Sequence, residues 1–239
     1  MRKYFSNDLL EKSPISPIKA ILLVLNYFVG YLFLYPRLAV ILTLSMNPNA
    51  TSINKFIELM IYGWMIFISI ALAYPELKRS YHNIPSWKIF IKRIGIAFVQ
   101  LYLISFVCTM LSTYLSGSLD SANQMGISSS LKDNLMLTIF ITLCYAPIVE
   151  EIVFRGILFR SFRSRFNFMT SAIISGLLFG GLHIFDSIQA GNLSDVWFIL
   201  VYFGLGFFFC KAYEDCDSIY SGYILHLINN SLAVLLLIL

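Results

Sequence analysis

The chain has 239 residues, 58% of them hydrophobic and 13% charged, with a mean hydropathy of +0.77. Ordinary soluble domains carry roughly 45–50% apolar and about 25% charged residues, and their exposed surface is already about 55–60% apolar. The composition therefore excludes a water-soluble enzyme, a nucleic-acid binder and a disordered chain, and it makes lipid the solvent for most of the protein. The net charge of +4 is modest, so the placement of the charges says more than their sum.

The opening 19 residues are polar and basic, and the first apolar run lacks a small-residue cleavage site, so no cleavable leader is expected. A membrane-crossing helix needs about 20 apolar residues. Seven stretches reach that length, at about 20–46, 55–74, 94–115, 135–159, 168–187, 195–212 and 218–239. The first is long and holds Pro36-Arg37 in its interior, which predicts either a tilted span with a kink or a span followed by an interfacial segment. Basic residues alternate between the connections. Arg2, Lys3, Lys12 and Lys19 precede the first run, and none falls in 47–54. Lys78, Arg79, Lys88, Lys92 and Arg93 fall in 75–93, but only Lys132 in 116–134. Arg160, Arg163 and Arg165 fall in 160–167, and none in 188–194. By the positive-inside rule the N-terminus is cytoplasmic and the C-terminus external, in one all-α transmembrane bundle over 1–239. The stretch 116–134 reads as an external loop with helix-start signals near Ser130. Cys108, Cys144, Cys210 and Cys216 show no C-x-x-C pairing and three of them lie in apolar runs. That predicts buried thiols, not a disulfide framework or a thiolate metal site.

Ionisable side chains inside a bilayer cost roughly 2.5–3.5 kcal/mol each on insertion scales and so mark function. Three runs carry them, all in the second half. In LMLTIFITLCYAPIVEEIVFRGILFR, Glu151 and Arg155 are spaced i, i+4 and can pair on one helix face. Glu150 points about 100° away and is left free to take up a proton. Pro147 cannot donate its backbone bond and should kink or open the helix just before the two carboxylates. In FMTSAIISGLLFGGLHIF, Gly176 and Gly180 form a G-x-x-x-G pair that admits a neighbouring helix; His183 follows, and alone it reads more readily as a core histidine than as a catalytic group. In SIYSGYILHLINNSLAVLLLIL, His226 and Asn230 share a face, with Asn229 beside them. Arg37 reads as a snorkelling side chain, and Lys55 with Glu58 as an interfacial pair.

A carboxylate with one or two histidines can deprotonate water, and a histidine with a carboxamide can donate to a developing oxyanion. Together they suit amide hydrolysis without a covalent intermediate. E-E-x-x-x-R at Glu150, Glu151 and Arg155, F-x-x-x-H at Phe179 and His183, and H-x-x-x-N at His226 and Asn230 resemble the three motifs of the CPBP family. These are the CAAX proteases and bacteriocin-processing enzymes, also called the Abi family. The resemblance covers about 135–235, a catalytic core within the single membrane domain. It implies that Glu150 is the general base, assisted by His183. It implies an oxyanion-stabilising or metal-binding role for His226 and Asn230, and a supporting role for Glu151 and Arg155.

The activity implied is that of an intramembrane endopeptidase, either a glutamate protease or a metalloprotease. Its substrate would be a membrane-associated peptide or protein, cut near the inner leaflet of a bacterial cytoplasmic membrane during peptide maturation or bacteriocin immunity. Prenylated CAAX proteins are the less expected substrate. His183, His226 and Glu150 could hold zinc with water in the fourth position, so zinc or no metal stays open. Two other classes fit the same residues. One is a catalytically silent immunity or scaffold protein that binds a peptide or sensor protein. The other is a proton-coupled transporter, which would call for inverted repeats that are not seen here. Depth poses one difficulty. On these spans Glu150 and His183 would lie roughly 10 Å apart along the membrane normal, at ~1.5 Å per residue. Either the helix ends lie several residues off, or the helices break around a wet cavity.

Overall fold

Polar side chains set most of the helix starts. Ser16, Asn54, Ser121, Asn134, Asn167 and Ser218 each accept from a backbone N–H of the following turn, satisfying donors that the helix itself leaves orphaned. The computed structural model describes Tyr4 and residues 8–239, and among these there is no strand. The expected seven crossings are present: α1 (Pro17–Met46), α2 (Lys55–His82), α3 (Trp87–Ser116), α5 (Leu135–Arg163), α6 (Phe168–Gln189), α7 (Leu193–Cys216) and α8 (Ile219–Ile238). A further helix, α4 (Ala122–Asp133), occupies the connection read as a loop. It starts at its Ser121 cap and not near Ser130, because Ser121 Oγ is the hydroxyl that meets the Gln124 N–H.

Several helices outrun their apolar stretches. Most of 75–93, expected as a connection, is helix, with Pro75 inside α2. The physical reason is Glu76, which is fully buried. It accepts from Arg79 at 2.8 Å, Ser80 at 3.1 Å and Tyr213 at 2.8 Å, so polar residues there continue the helix without an unsatisfied charge. Arg160 Nη1 donates to Tyr213 at 2.9 Å and pairs with Asp217 at 3.2 Å. Arg163 holds Glu214 through two bonds at 2.8 and 3.0 Å. This buried network joins α2, α5 and α7 at the end of the bundle that carries the basic residues.

The same extension removes the depth conflict. With α5 running to Arg163, Glu150 stands 13 residues from that end, and His183 stands 15 residues from Phe168 on α6. At ~1.5 Å per residue the two depths agree to about 3 Å.

Pro36 and Pro147, like Pro75 of α2, lie within continuous helices. Pro36 and Pro147 are each preceded by π-helical turns, at Asn26–Leu34 and Phe140–Tyr145, and a third wide stretch, Glu151–Phe159, follows the carboxylate pair. Wide turns move the donor–acceptor register back by one residue, which accommodates the N–H that proline lacks. α1 is thus one continuous crossing. α5 is the central post: 61% of its apolar window is buried in the bundle, against 17% for α1 and for α3. The outer helices turn Ile41, Phe67 and Phe106 outward, as lipid allows. The four cysteines are free; Cys210 and Cys216 are buried, but Cys108 is only half-buried and Cys144 is exposed. Cys144 departs from the buried reading because its side of α5 faces away from the bundle. Lys55 and Glu58 pair at 3.3 Å, as read.

Without a hydrophobic drive between helices in lipid, close backbone approach supplies the packing, and α6 against α7 shows it. A Cβ built on Gly206 of α7 would lie 2.9 Å from Gly176 Cα, and one on Gly180 would lie 3.0 Å from Phe203 N. Gly206→Ala is therefore expected to destabilise the bundle by about 1–3 kcal/mol in thermal unfolding in detergent. Gly181→Ala, whose Cβ meets nothing within 4 Å, leaves the transition in place.

Candidate active site

The three motif helices converge. On α5, Glu151 Oε1 accepts from Arg155 Nη1 at 2.8 Å, the i, i+4 pair expected, and both side chains are buried. The same oxygen accepts from His226 Nδ1 on α8 at 3.1 Å. A carboxylate can only accept here, so Nδ1 of His226 carries a proton and Nε2 faces Glu150 Oε2 at 3.9 Å. Arg155 also donates to Gly206 O at 3.1 Å, and its guanidinium lies 4.7 Å from the Phe179 ring and 5.0 Å from that of Phe209. Gly222 completes the nest, since a Cβ there would collide with Glu151 Oε2.

Phe179 is the hub of the aromatic wall. Its ring lies 4.4 Å from His183 and 5.9 Å from His226, and its carbonyl accepts from His183 Nδ1 at 2.8 Å. A carbonyl cannot donate, so His183 holds its proton on Nδ1 and keeps Nε2 free. Tyr202 stacks on the other face of His183 at 4.5 Å and is itself held by Ser121 at 2.6 Å. Phe209 stacks on His226 at 4.5 Å. Reading the sequence passed over Tyr202 and Phe209, because an aromatic residue in an apolar run looks like any other core residue. Phe179 was legible only as a motif letter.

Asn230 answers the proline. Within the wide turns Ala146 N–H donates to Ile141 O, five residues back. In that register Pro147 should donate to Thr142 O and cannot. Asn230 Nδ2 fills the gap at 2.9 Å, while Asn229 donates to Asn230 Oδ1 at 3.2 Å.

Two cavities meet at these residues. One of about 520 Å³ is lined by Glu150, His183, His226 and Asn230, with Tyr202 and Asn229 beside them. The other, of about 640 Å³, is lined by Glu150 and His183 together with Tyr31, Tyr62, Glu58 and Asp186. Glu150 and His183 stand where the two join. Glu150 is 8% exposed, and its Oε2 has no hydrogen-bond partner within the described protein. The three sets of motif residues thus gather around one hollow. The cavities lie toward the end remote from the basic residues.

The zinc set is not formed. Among the described residues no three His, Cys, Asp or Glu side chains come close enough to hold a metal ion. His226 commits Nδ1 to Glu151 and keeps Nε2 3.9 Å from Glu150.

Seven helices long and apolar enough to cross a membrane, gathered around a buried carboxylate and two imidazoles, define a polytopic membrane protein. Residues 132–232 match the family of type II CAAX prenyl endopeptidases, described as Rce1-like, so the family resemblance read from the three motifs holds over that region. A Bacillus subtilis protein named "Putative membrane peptidase YdiL" is 30% identical over 100 residues. The alignment takes in 42% of this chain and 37% of that protein, so well under two thirds of the relative is spanned. No solved structure matches the chain.

Arg155→Met would leave Glu151 as a buried carboxylate without its guanidinium. Removing one partner of a buried pair costs about 3–5 kcal/mol, and thermal unfolding in detergent should show that loss. Adding Glu151→Gln should recover part of it.

Proposed function

We propose that the protein is an intramembrane endopeptidase that hydrolyses a peptide bond through a water activated by Glu150. The observation that carries the reading is Glu150 Oε2, a buried carboxylate oxygen with no hydrogen-bond partner among the described residues, at the junction of two cavities and beside an imidazole nitrogen. The family match over 132–232 supports it. So does the name of the Bacillus subtilis relative, "Putative membrane peptidase YdiL".

In this mechanism a water between Glu150 and His183 Nε2 gives its proton to the Glu150 carboxylate as its oxygen attacks the carbonyl carbon. The oxyanion that forms accepts from His226 Nε2, in its imidazolium form, and from the second N–H of Asn230 Nδ2. The proton held by Glu150 then passes to the amide nitrogen as the C–N bond breaks and the oxyanion collapses to C=O, leaving one new carboxylic acid, which keeps the water's second proton, and one new amine. Glu151 and Arg155 do not touch the substrate; they hold His226 in place. No metal enters these steps. The substrate is a membrane-associated peptide or protein, and peptide maturation or bacteriocin processing belongs to this reading.

The test is cleavage of fluorogenic peptides by the full chain in detergent. Glu150→Gln and His183→Ala should each lower kcat by about 10²–10⁴-fold. His226→Ala and Asn230→Ala should lower it by about 10²–10³-fold, with unfolding curves recorded alongside to separate chemistry from folding. Cleavage undiminished by both Glu150→Gln and His183→Ala refutes the reading.

A further inference from the structure

The two cavities have a direction. The first is lined by Leu119 and Gln124 from the α3–α5 connection, Phe198 from the first turns of α7, and Leu236 from the last turns of α8. The second is lined by Glu58, one turn into α2, and by Asp186 in the last turn of α6. All of these helix ends lie on the same side, the one with few basic residues. No residue of the opposite connections, 83–86, 164–167 and 217–218, lines either cavity. Below the site, toward the basic side, the interior is filled by Glu151–Arg155, then by Glu76, Arg160 and Tyr213, and then by Arg163–Glu214, all buried. The site thus has a floor of paired charges and a mouth at the other end.

Basic residues collect at the floor: Lys78, Arg79, Lys88, Lys92, Arg93, Arg160, Arg163 and Arg165. The positive-inside rule puts such ends in the cytoplasm. We infer that the catalytic cavity is entered from the outer face of the membrane, so that the substrate is a peptide or protein segment presented on that face. Glu58, Asp120, Glu150 and Asp186 line the hollows, whereas no Lys or Arg does, which favours a segment that is neutral or basic around its scissile bond. A prenylated tail presented at the inner face would meet the ion-paired floor. The inference deepens the endopeptidase reading and rests on it for the word substrate; the direction of the opening rests on the geometry and on the placement of the basic residues.

The test separates the two. Leu119→Cys and Asp186→Cys stand at the mouth, and Lys78→Cys and Lys88→Cys at the basic end. Each variant is treated with a membrane-impermeant maleimide in spheroplasts and in detergent-opened membranes, with the wild-type chain and its four native cysteines as baseline. The mouth variants should label in intact spheroplasts at least tenfold above baseline, and the basic-end variants only after opening. Labelled Leu119→Cys should then cleave a lysine-containing fluorogenic peptide at least tenfold more slowly than the same variant unlabelled. Labelling from the opposite sides, or cleavage unaffected by complete labelling of both mouth variants, overturns the inference. Failure of the peptidase reading shows separately, as cleavage in detergent that Glu150→Gln does not change.

Discussion

The carboxylate of Glu151 is the constraint on which the site depends. One of its oxygens receives both the Arg155 guanidinium and the His226 imidazole, and Gly222 is small enough to let α8 come up against it. Arg155 carries the connection onward to the Gly206 carbonyl on α7 and to the Phe179 ring on α6. Four helices therefore take their positions from one ion pair. Buried pairs of this kind contribute little net stability, because desolvation offsets their attraction. What this pair supplies is geometry: it holds a proton on Nδ1 of His226 and turns Nε2 toward Glu150.

The pairing of Arg155 with Glu151 and not with Glu150 was legible in the sequence, because helical spacing decides which of the two can reach it. The seven crossings were legible too, since their length and apolarity are imposed by the bilayer. Helix ends were not. An apolar run stops where charges begin, whereas a helix stops where its backbone runs out of partners, and buried Glu76 and Arg160 let α2 and α5 continue past that point. Reading 75–93 and 160–167 as connections hid the paired floor for the same reason. The wide turns around Pro147 left no sequence signal beyond the proline, and the stacking partners Tyr202 and Phe209 had none against so many aromatic residues.

The bundle is built asymmetrically along its axis. At one end arginines and carboxylates neutralise one another in the interior, which lets charged residues sit in a packed helical environment without solvent. Toward the other end small and polar residues leave room, and the interior opens into two joined hollows. The basic residues gathered at that end are in part the ones that seal it, so charge placement and architecture share the same side chains.

The Pro147–Thr142–Asn230 arrangement has a consequence for the rotation of α8. A carbonyl deprived of its helical donor becomes an anchor point that only a side chain from another helix can use, and Asn230 takes it. His226 lies one turn earlier on α8, so this anchor and the bond to Glu151 grip the helix at two successive turns. Rotating α8 about its own axis would break both at once. The azimuth of the imidazole is thereby set in part by a hydrogen atom that proline does not possess.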